Sequence, residues 1–444
     1  MKYPSYSVLC YMFCLVANLM FTGCGAPSEE QEEGNPYFEA DEDQGGLSLA
    51  PGMQAYVIAD DLGRARHVAV NERGDIYVKL REPHAQGGIV ALRDTTGDGR
   101  ADQIEYFSDF GGTGMAYYNG NLYASNDSTV FRYTFSSGNL LPDNAASPDT
   151  IVSGFVQETS HAAKSITIDD QGNLYVNVGA PSNACQETDR TKGSPAMDPC
   201  PLLELYGGVW RFDAERIGQT QQKDGHRFST GIRNAVALEA NPLDGHVYVV
   251  QHGRDMLTSL FPEMYDEQAS AEIPAEEFFR LSDGADFGWP YCYYDPKQDK
   301  RVLSPEYGGD RQTVGRCENT ESPIMTFPAH WGPNDILFNT GDHFPEQYSG
   351  GAFIAFHGSW NRAPLEQEGY LVTFVPFENG NPTGDFERFA DGFAGVDKIE
   401  SPGDAEHRPT GLAMAPDGTL IISDSVTGKL WRVFYREQEV LALK

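Results

Sequence analysis

His161-Ala-Ala-Lys-Ser-Ile-Thr-Ile, a short polar turn, then Gly172-Asn-Leu-Tyr-Val: this stretch sets a pattern that recurs along the chain. A polar start leads into a β-branched or apolar run, a Gly or Asp-Gly turn follows, and a second run ends in aromatic or β-branched residues. Arg64-Ala-Arg-His-Val-Ala-Val with Gly74-Asp-Ile-Tyr-Val is a copy, as is Gly114-Met-Ala-Tyr-Tyr with Gly120-Asn-Leu-Tyr-Ala. Further copies are Arg233-Asn-Ala-Val-Ala-Leu with Gly245-His-Val-Tyr-Val and Arg408-Pro-Thr-Gly-Leu-Ala-Met with Gly418-Thr-Leu-Ile-Ile. A divergent one runs from Asn334-Asp-Ile-Leu-Phe to Gly351-Ala-Phe-Ile-Ala. Two strands and a turn cannot bury a face alone, so repeats spaced by about forty residues or more read as blades of a propeller. Six copies predict an all-β, six-bladed β-propeller over residues 47–444. A β-sandwich would not share the turn register. Gln54-Ala-Tyr-Val-Ile, ahead of the first copy, is expected to pair with the last blade near Lys429-Leu-Trp-Arg-Val, closing the ring and hiding its sheet edges.

The propeller is preceded by a different kind of sequence. Met1 and Lys2, an apolar stretch from Tyr11 to Phe21 and then Thr22-Gly23-Cys24 form a segment too short to span a bilayer and suited to a signal peptide. Phe-Thr-Gly-Cys resembles the lipobox of bacterial lipoproteins, which implies cleavage before Cys24 and acylation of its thiol. The expected product is exported and anchored by lipid to the cell envelope, at an outer membrane, on its periplasmic or surface face. Residues 25–46 are rich in Glu and Asp, lack basic residues and predict an acidic disordered tether. With Cys10, Cys14 and Cys24 assigned to the leader, Cys185, Cys200, Cys292 and Cys317 remain, an even number that in an exported chain predicts disulfides between neighbours, Cys185 to Cys200 and Cys292 to Cys317.

Charge narrows the partners. The chain carries 32 Lys and Arg against 65 Asp and Glu, a formal net charge of -33, which argues against nucleic acid. Against that background three arginines stand in register. Arg64 lies ten residues before Gly74, Arg408 ten before Gly418, and Arg233 twelve before Gly245 across a turn two residues wider. Each therefore precedes an innermost strand, at one mouth of the central channel, where guanidinium groups suit an anion with several carboxylates or phosphates. Local pairing of each Arg with Asp or Glu is the alternative. His161 stands one residue before the same level and, as a neutral imidazole, is placed to accept a substrate proton.

His161-x-x-Lys-Ser-Ile, Asn173-Leu-Tyr-Val-Asn-Val-Gly, Gly231-Ile-Arg-Asn, His252-Gly-Arg-Asp, Gly284-Ala-Asp-Phe-Gly-Trp-Pro and Arg408-Pro-Thr-Gly, in that order, resemble the pyrroloquinoline quinone (PQQ)-dependent glucose and sorbosone dehydrogenases, nearer the sorbosone and pyranose branch. The likeness covers residues from about 50 to 435. It implies PQQ, a polycarboxylate, over the channel mouth and a calcium ion between cofactor and protein. It implies His161 as the base while hydride passes from the anomeric carbon of a sugar to the quinone. Arg64, Arg233, Asn234 and Arg408 are then expected at the cofactor, and the backbone carbonyls of Gly253 and Arg254 at calcium. A lysine that contacts cofactor in the glucose branch has no counterpart, and His357 and Arg362 in Phe356-His-Gly-Ser-Trp-Asn-Arg are the candidates to replace it.

No C-x-x-C-H haem site occurs, so the electron acceptor, a cytochrome or quinone, is expected to be a separate molecule. Asp94-Thr-Thr-Gly-Asp-Gly-Arg-Ala-Asp resembles a calcium loop, but Thr96 replaces a carboxylate and no Glu closes it, so a turn between outer strands explains it equally. Two other functions are carried forward: a calcium-dependent lactonase-type hydrolase, which needs carboxylates and amides converging on the metal, and a non-catalytic sugar-binding surface lipoprotein.

Overall fold

The computed structural model describes residues 38–84 and 87–436. The leader, Cys24 and the tether up to residue 37 therefore lie outside the described residues. Each sequence copy forms the two inner strands of one antiparallel sheet, and the sheets form a ring of six blades. The innermost strands are Ala65–Val70, Met115–Tyr118, Ile166–Ile168, Ala237–Ala240, Pro333–Phe338 and Pro409–Met414. All six line one central cavity of about 230 Å³. Apolar side chains on both faces of each sheet pack against the neighbouring blades. Trp431 and Phe353 share one such cluster between the fifth and sixth blades, and Val78 and Ile421 share another between the sixth and first.

The ring closes through the N-terminal strand, as expected. Met53–Ala59 pairs antiparallel with Leu430–Tyr435, Ala55 facing Val433, as the outer strand of the sixth blade. Short fifth strands cover the outer edges of three blades: Gln219–Thr220 on the second, Ala285–Asp286 on the third and Ser48–Leu49 on the fifth. These edges would otherwise present unpaired backbone groups. The long connections fall in the third and fourth blades, where Cys185–Cys200 and Cys292–Cys317 form the expected disulfides.

Residues 38–46 correct the expected extent of the tether. Phe38 packs on Tyr56 with ring centroids 5.6 Å apart. Asp41 accepts from the Val57 amide at 2.8 Å and from Arg100 at 2.7 Å, and the Gly45 carbonyl accepts from the Trp431 indole at 2.9 Å. One aromatic ring and one cation partner are enough to order a segment that its acidity alone marks as solvated. Residues 94–102 form the connection between the outer strands Gly87–Arg93 and Gln103–Phe107. Asp94 and Asp102 accept hydrogen bonds from backbone amides of that connection, as in a polar turn.

Candidate active site

Segments that lead into the innermost strands and segments that leave the second strands meet at one mouth of the channel. They are tied into a belt of hydrogen bonds. His161, half-buried with φ 52°, donates from Nδ1 to the Ala180 carbonyl at 2.5 Å, and the Ala180 amide donates to the Arg233 carbonyl at 2.8 Å. The His252 amide donates to the Asn234 carbonyl at 2.9 Å, while its Nε2 donates to Pro333 O at 2.7 Å. Arg408 donates to the carbonyls of His357 and Gly358, each at 2.9 Å, and His357 Nε2 is hydrogen-bonded to Ser425 Oγ at 2.6 Å. Ser423 Oγ donates to the Arg66 carbonyl at 2.8 Å, carrying the belt into the first blade.

The bond from Nδ1 fixes the tautomer of His161 and leaves Nε2 as an acceptor. Burial, aided by the nearby Arg233 guanidinium, pulls its pKa down to about 3. Burial likewise lowers His252 to about 4 and, with Arg408 and Arg66 beside it, holds His357 well below the ordinary range. The mouth thus carries neutral imidazoles beside permanent cations. His161 and Asn234 lie against each other across Gly179, where a Cβ would fall 2.8 Å from His161 Cβ and 2.7 Å from Asn234 Oδ1. That Asn234 oxygen is buried without a hydrogen-bond partner.

The three arginines in sequence register do not share one environment. Arg64 is exposed and reaches Glu82 at 3.3 Å. Arg66, two residues on, has its Nε buried without a partner, and among the described residues no carboxylate lies within ion-pair distance of it. Burial and the neighbouring Arg81, Arg64 and Arg408 bring its pKa to about 10. Counting back from the turn glycine selects Arg64, which precedes the strand, whereas the buried guanidinium is that of Arg66, inside Ala65–Val70. Arg408 gives its Nε and Nη2 to backbone carbonyls and, among the described residues, has no carboxylate partner within ion-pair distance.

Arg233 is only 3% exposed and paired, at 2.5 Å, with Asp255. Its Nη2 also donates to Asn183 Oδ1 at 3.1 Å and its Nη1 to the Gly253 carbonyl at 2.8 Å, while its Nε is buried without a hydrogen-bond partner. Here the local-pairing alternative holds, and Arg233 acts on the site through its charge. Asp255, unremarked in the His252-Gly-Arg-Asp motif, is a hub: besides Arg233 it accepts from Arg190 at 3.2 Å and from Asn361 at 2.8 Å. Burial pushes its carboxyl pKa up, but the Arg233 guanidinium overrides this and holds it well below the usual range.

One further expectation is revised. Arg362 is not brought to the mouth as a free cation; it donates to Glu366 O, Ala271 O and Glu368 and fastens its own loop. His357 is at the mouth. The Gly253 carbonyl already accepts from Arg233, and the Arg254 guanidinium is sequestered in a buried bidentate pair with Glu306. Among the described residues no cluster of His, Cys, Asp or Glu is arranged to hold a metal. A divalent cation held by the backbone carbonyls of Gly253 and Arg254 would share the Gly253 oxygen, which has a second lone pair, with the Arg233 guanidinium that Asp255 neutralises.

A family model described as TrAA12-like matches residues 47–436. The chain belongs to the TrAA12-like family. Similar to this TrAA12-like chain are a PQQ-dependent sugar dehydrogenase of Hypocrea jecorina, 23% identical over 70% of this chain and 71% of that one, and a PQQ-dependent pyranose dehydrogenase of Coprinopsis cinerea, 21% identical over 87% of this chain and 54% of that one. The chain spans 61% of the length of another relative, an uncharacterized protein of Borreliella burgdorferi that is 25% identical over 62% of this chain. Among solved structures, the calcium structure of the Trichoderma reesei family AA12 enzyme superposes with TM-score 0.70 at 20% identity, over 88% of this chain and 97% of that one. The holo PQQ domain of the Coprinopsis cinerea pyranose dehydrogenase gives 0.69 at 18% identity, over 87% and 97%. At these identities the structural likeness speaks for the propeller alone.

Proposed function

We propose that the protein is a PQQ-dependent dehydrogenase that oxidises a pyranose or related aldose at its anomeric carbon. The observation that carries this reading is the channel mouth: a tautomer-fixed, neutral His161 and, next to His357, the guanidinium groups of Arg66 and Arg408, which have no carboxylate within ion-pair distance among the described residues, in a chain of net charge -33. Such a donor set fits a polycarboxylate. Arg66 and Arg408 would hold its carboxylates, and Asn234 and His357 its polar edge. When bound, PQQ supplies the two-electron acceptor for hydride from the sugar carbon. The chain's own share is to orient the sugar and to take its hydroxyl proton on His161 Nε2. Arg233, clamped by Asp255, keeps that nitrogen unprotonated beforehand. No step is routed through calcium.

The lactonase-type alternative asks for carboxylates converging on a metal, whereas this mouth presents cations and imidazoles. The separate acceptor, cytochrome or quinone, and export with a lipid anchor at Cys24 complete the proposal; the leader sequence supports the latter. The test is reconstitution of the purified protein with PQQ, with and without added calcium, followed by dye-linked oxidation of aldoses. Cofactor-dependent turnover is expected. Tight sugar binding with no dye reduction under any of these conditions would favour the non-catalytic sugar-binding reading.

A further inference from the structure

Of the five tryptophans in the chain, four are core residues: Trp210, Trp289, Trp331 and Trp431 are at most 4% exposed. Trp360 is 54% exposed. Leaving an indole in water forgoes the stabilisation that burial of so large a ring gives, so the loop that carries it should be free to turn it inward unless something prevents that.

The loop is not free. Arg408 holds the carbonyls of His357 and Gly358, and Ser359 Oγ donates to the His330 carbonyl at 2.9 Å. Asn361 Nδ2 donates to Asp255 Oδ1 at 2.8 Å, and the Ala363 amide donates to the Trp360 carbonyl at 3.2 Å. Gly358, at φ 71°, packs so closely on the Tyr370 ring that a Cβ would fall 2.2 Å from it. The segment around Trp360 is thus held at His357, Gly358, Ser359 and Asn361, and the indole stays exposed. Through Asn361, its backbone lies within about 10 Å of the carboxylate that clamps Arg233.

We propose that Trp360 is a stacking platform for a sugar ring at the rim of the mouth. The C–H face of a pyranose carries the weak positive polarity that matches the negative face of an indole. His161 is half-buried and Trp360 exposed, so on this proposal the ring being oxidised fills the mouth and the next ring lies on the indole. The substrate class is therefore a reducing disaccharide or longer oligosaccharide. This rests on the dehydrogenase reading for the identity of the oxidised ring, while the stacking itself does not.

The test compares wild type, Trp360→Ala and Trp360→Phe. In the PQQ-loaded enzyme the preference for cellobiose or maltose over glucose, taken as the ratio of kcat/KM values, should fall about five- to tenfold in Trp360→Ala and recover in part in Trp360→Phe. In cofactor-free protein, Trp360 is the strongly exposed emitter, and cellobiose or maltose should shield it from acrylamide quenching more than glucose does. An unchanged ratio together with no shielding overturns the platform and leaves the dehydrogenase reading standing. Shielding by disaccharide without any sugar oxidation keeps the platform and overturns the dehydrogenase reading.

Discussion

The Nδ1 bond of His161 to Ala180 makes a prediction that needs no substrate. In cofactor-free protein, nitrogen chemical shifts should show an Nδ1-protonated, neutral ring down to about pH 4, because its pKa lies near about 3. An inflection at about pH 6.5, the ordinary value, would mean that neither burial nor Arg233 governs it. His161→Ala should keep cofactor affinity and lower turnover about a hundredfold or more, measured by single-turnover reduction. Arg66→Ala and Arg408→Ala should instead weaken PQQ binding by about 1.5–3 kcal/mol in a cofactor titration. Arg64→Ala, an exposed change, should move it by less than about 0.5 kcal/mol. The contrast shows what was legible at this scale. His161, Asn234, His357 and Arg408 were found by motif and register and are at the mouth. Arg66 was hidden because the count selects Arg64, and only the fold shows which of the two guanidinium groups is buried. Asp255 was hidden because its role depends on a fold contact with Arg233 across a blade.

A connection closed by Cys185 and Cys200, 15 residues apart, carries Asn183 into the site. Asn183 Oδ1 accepts from Arg233 at 3.1 Å and from the Asp255 amide at 2.9 Å, and its Nδ2 donates to Asp255 O at 3.0 Å. The disulfide is therefore a positioning element as well as a staple. Replacing both cysteines with Ala should lower stability by about 2–4 kcal/mol in denaturant unfolding and, at temperatures where the protein remains folded, should reduce turnover several-fold. If turnover is unchanged while stability falls, the loop serves stability alone. The strand pairs, the closing strand and both disulfides were legible because turn glycines, strand-forming runs and cysteine order are local signals. The docking of residues 38–46 was not, since it depends on Tyr56 and Arg100, which the fold alone brings near.

At the scale of the molecule, the channel that all six blades share contains Glu239, whose carboxyl is pushed up to about 8 by burial and by the neighbouring Asp335. A folded-state pKa above the unfolded value gives stability that is fully present below about pH 4.5 and lost as pH rises through about 8. Glu239→Gln keeps the shape without the ionisation. Its melting temperature should accordingly exceed that of wild type by a few degrees at about pH 8.5, with the gap shrinking or reversing near about pH 5. A gap of one size at both pH values would show that Glu239 does not titrate with folding. The proposed lipid anchor belongs to this scale too. Cys24→Ser should leave the protein unacylated and in the soluble fraction, since acyl chains supply the membrane affinity of so acidic a chain.

Met53–Ala59 completes a sheet whose other strands lie more than 340 residues later, between Pro409 and Tyr435. A chain emerging from a ribosome or translocon thus holds its N-terminal strand without a partner until almost all the rest has arrived. The ring can be sealed only in the compartment where the complete chain is delivered, and a chain cut short before Leu430 would expose two raw sheet edges. Closure should accordingly come late, and the slowest step in assembly should be the meeting of the two ends of the ring.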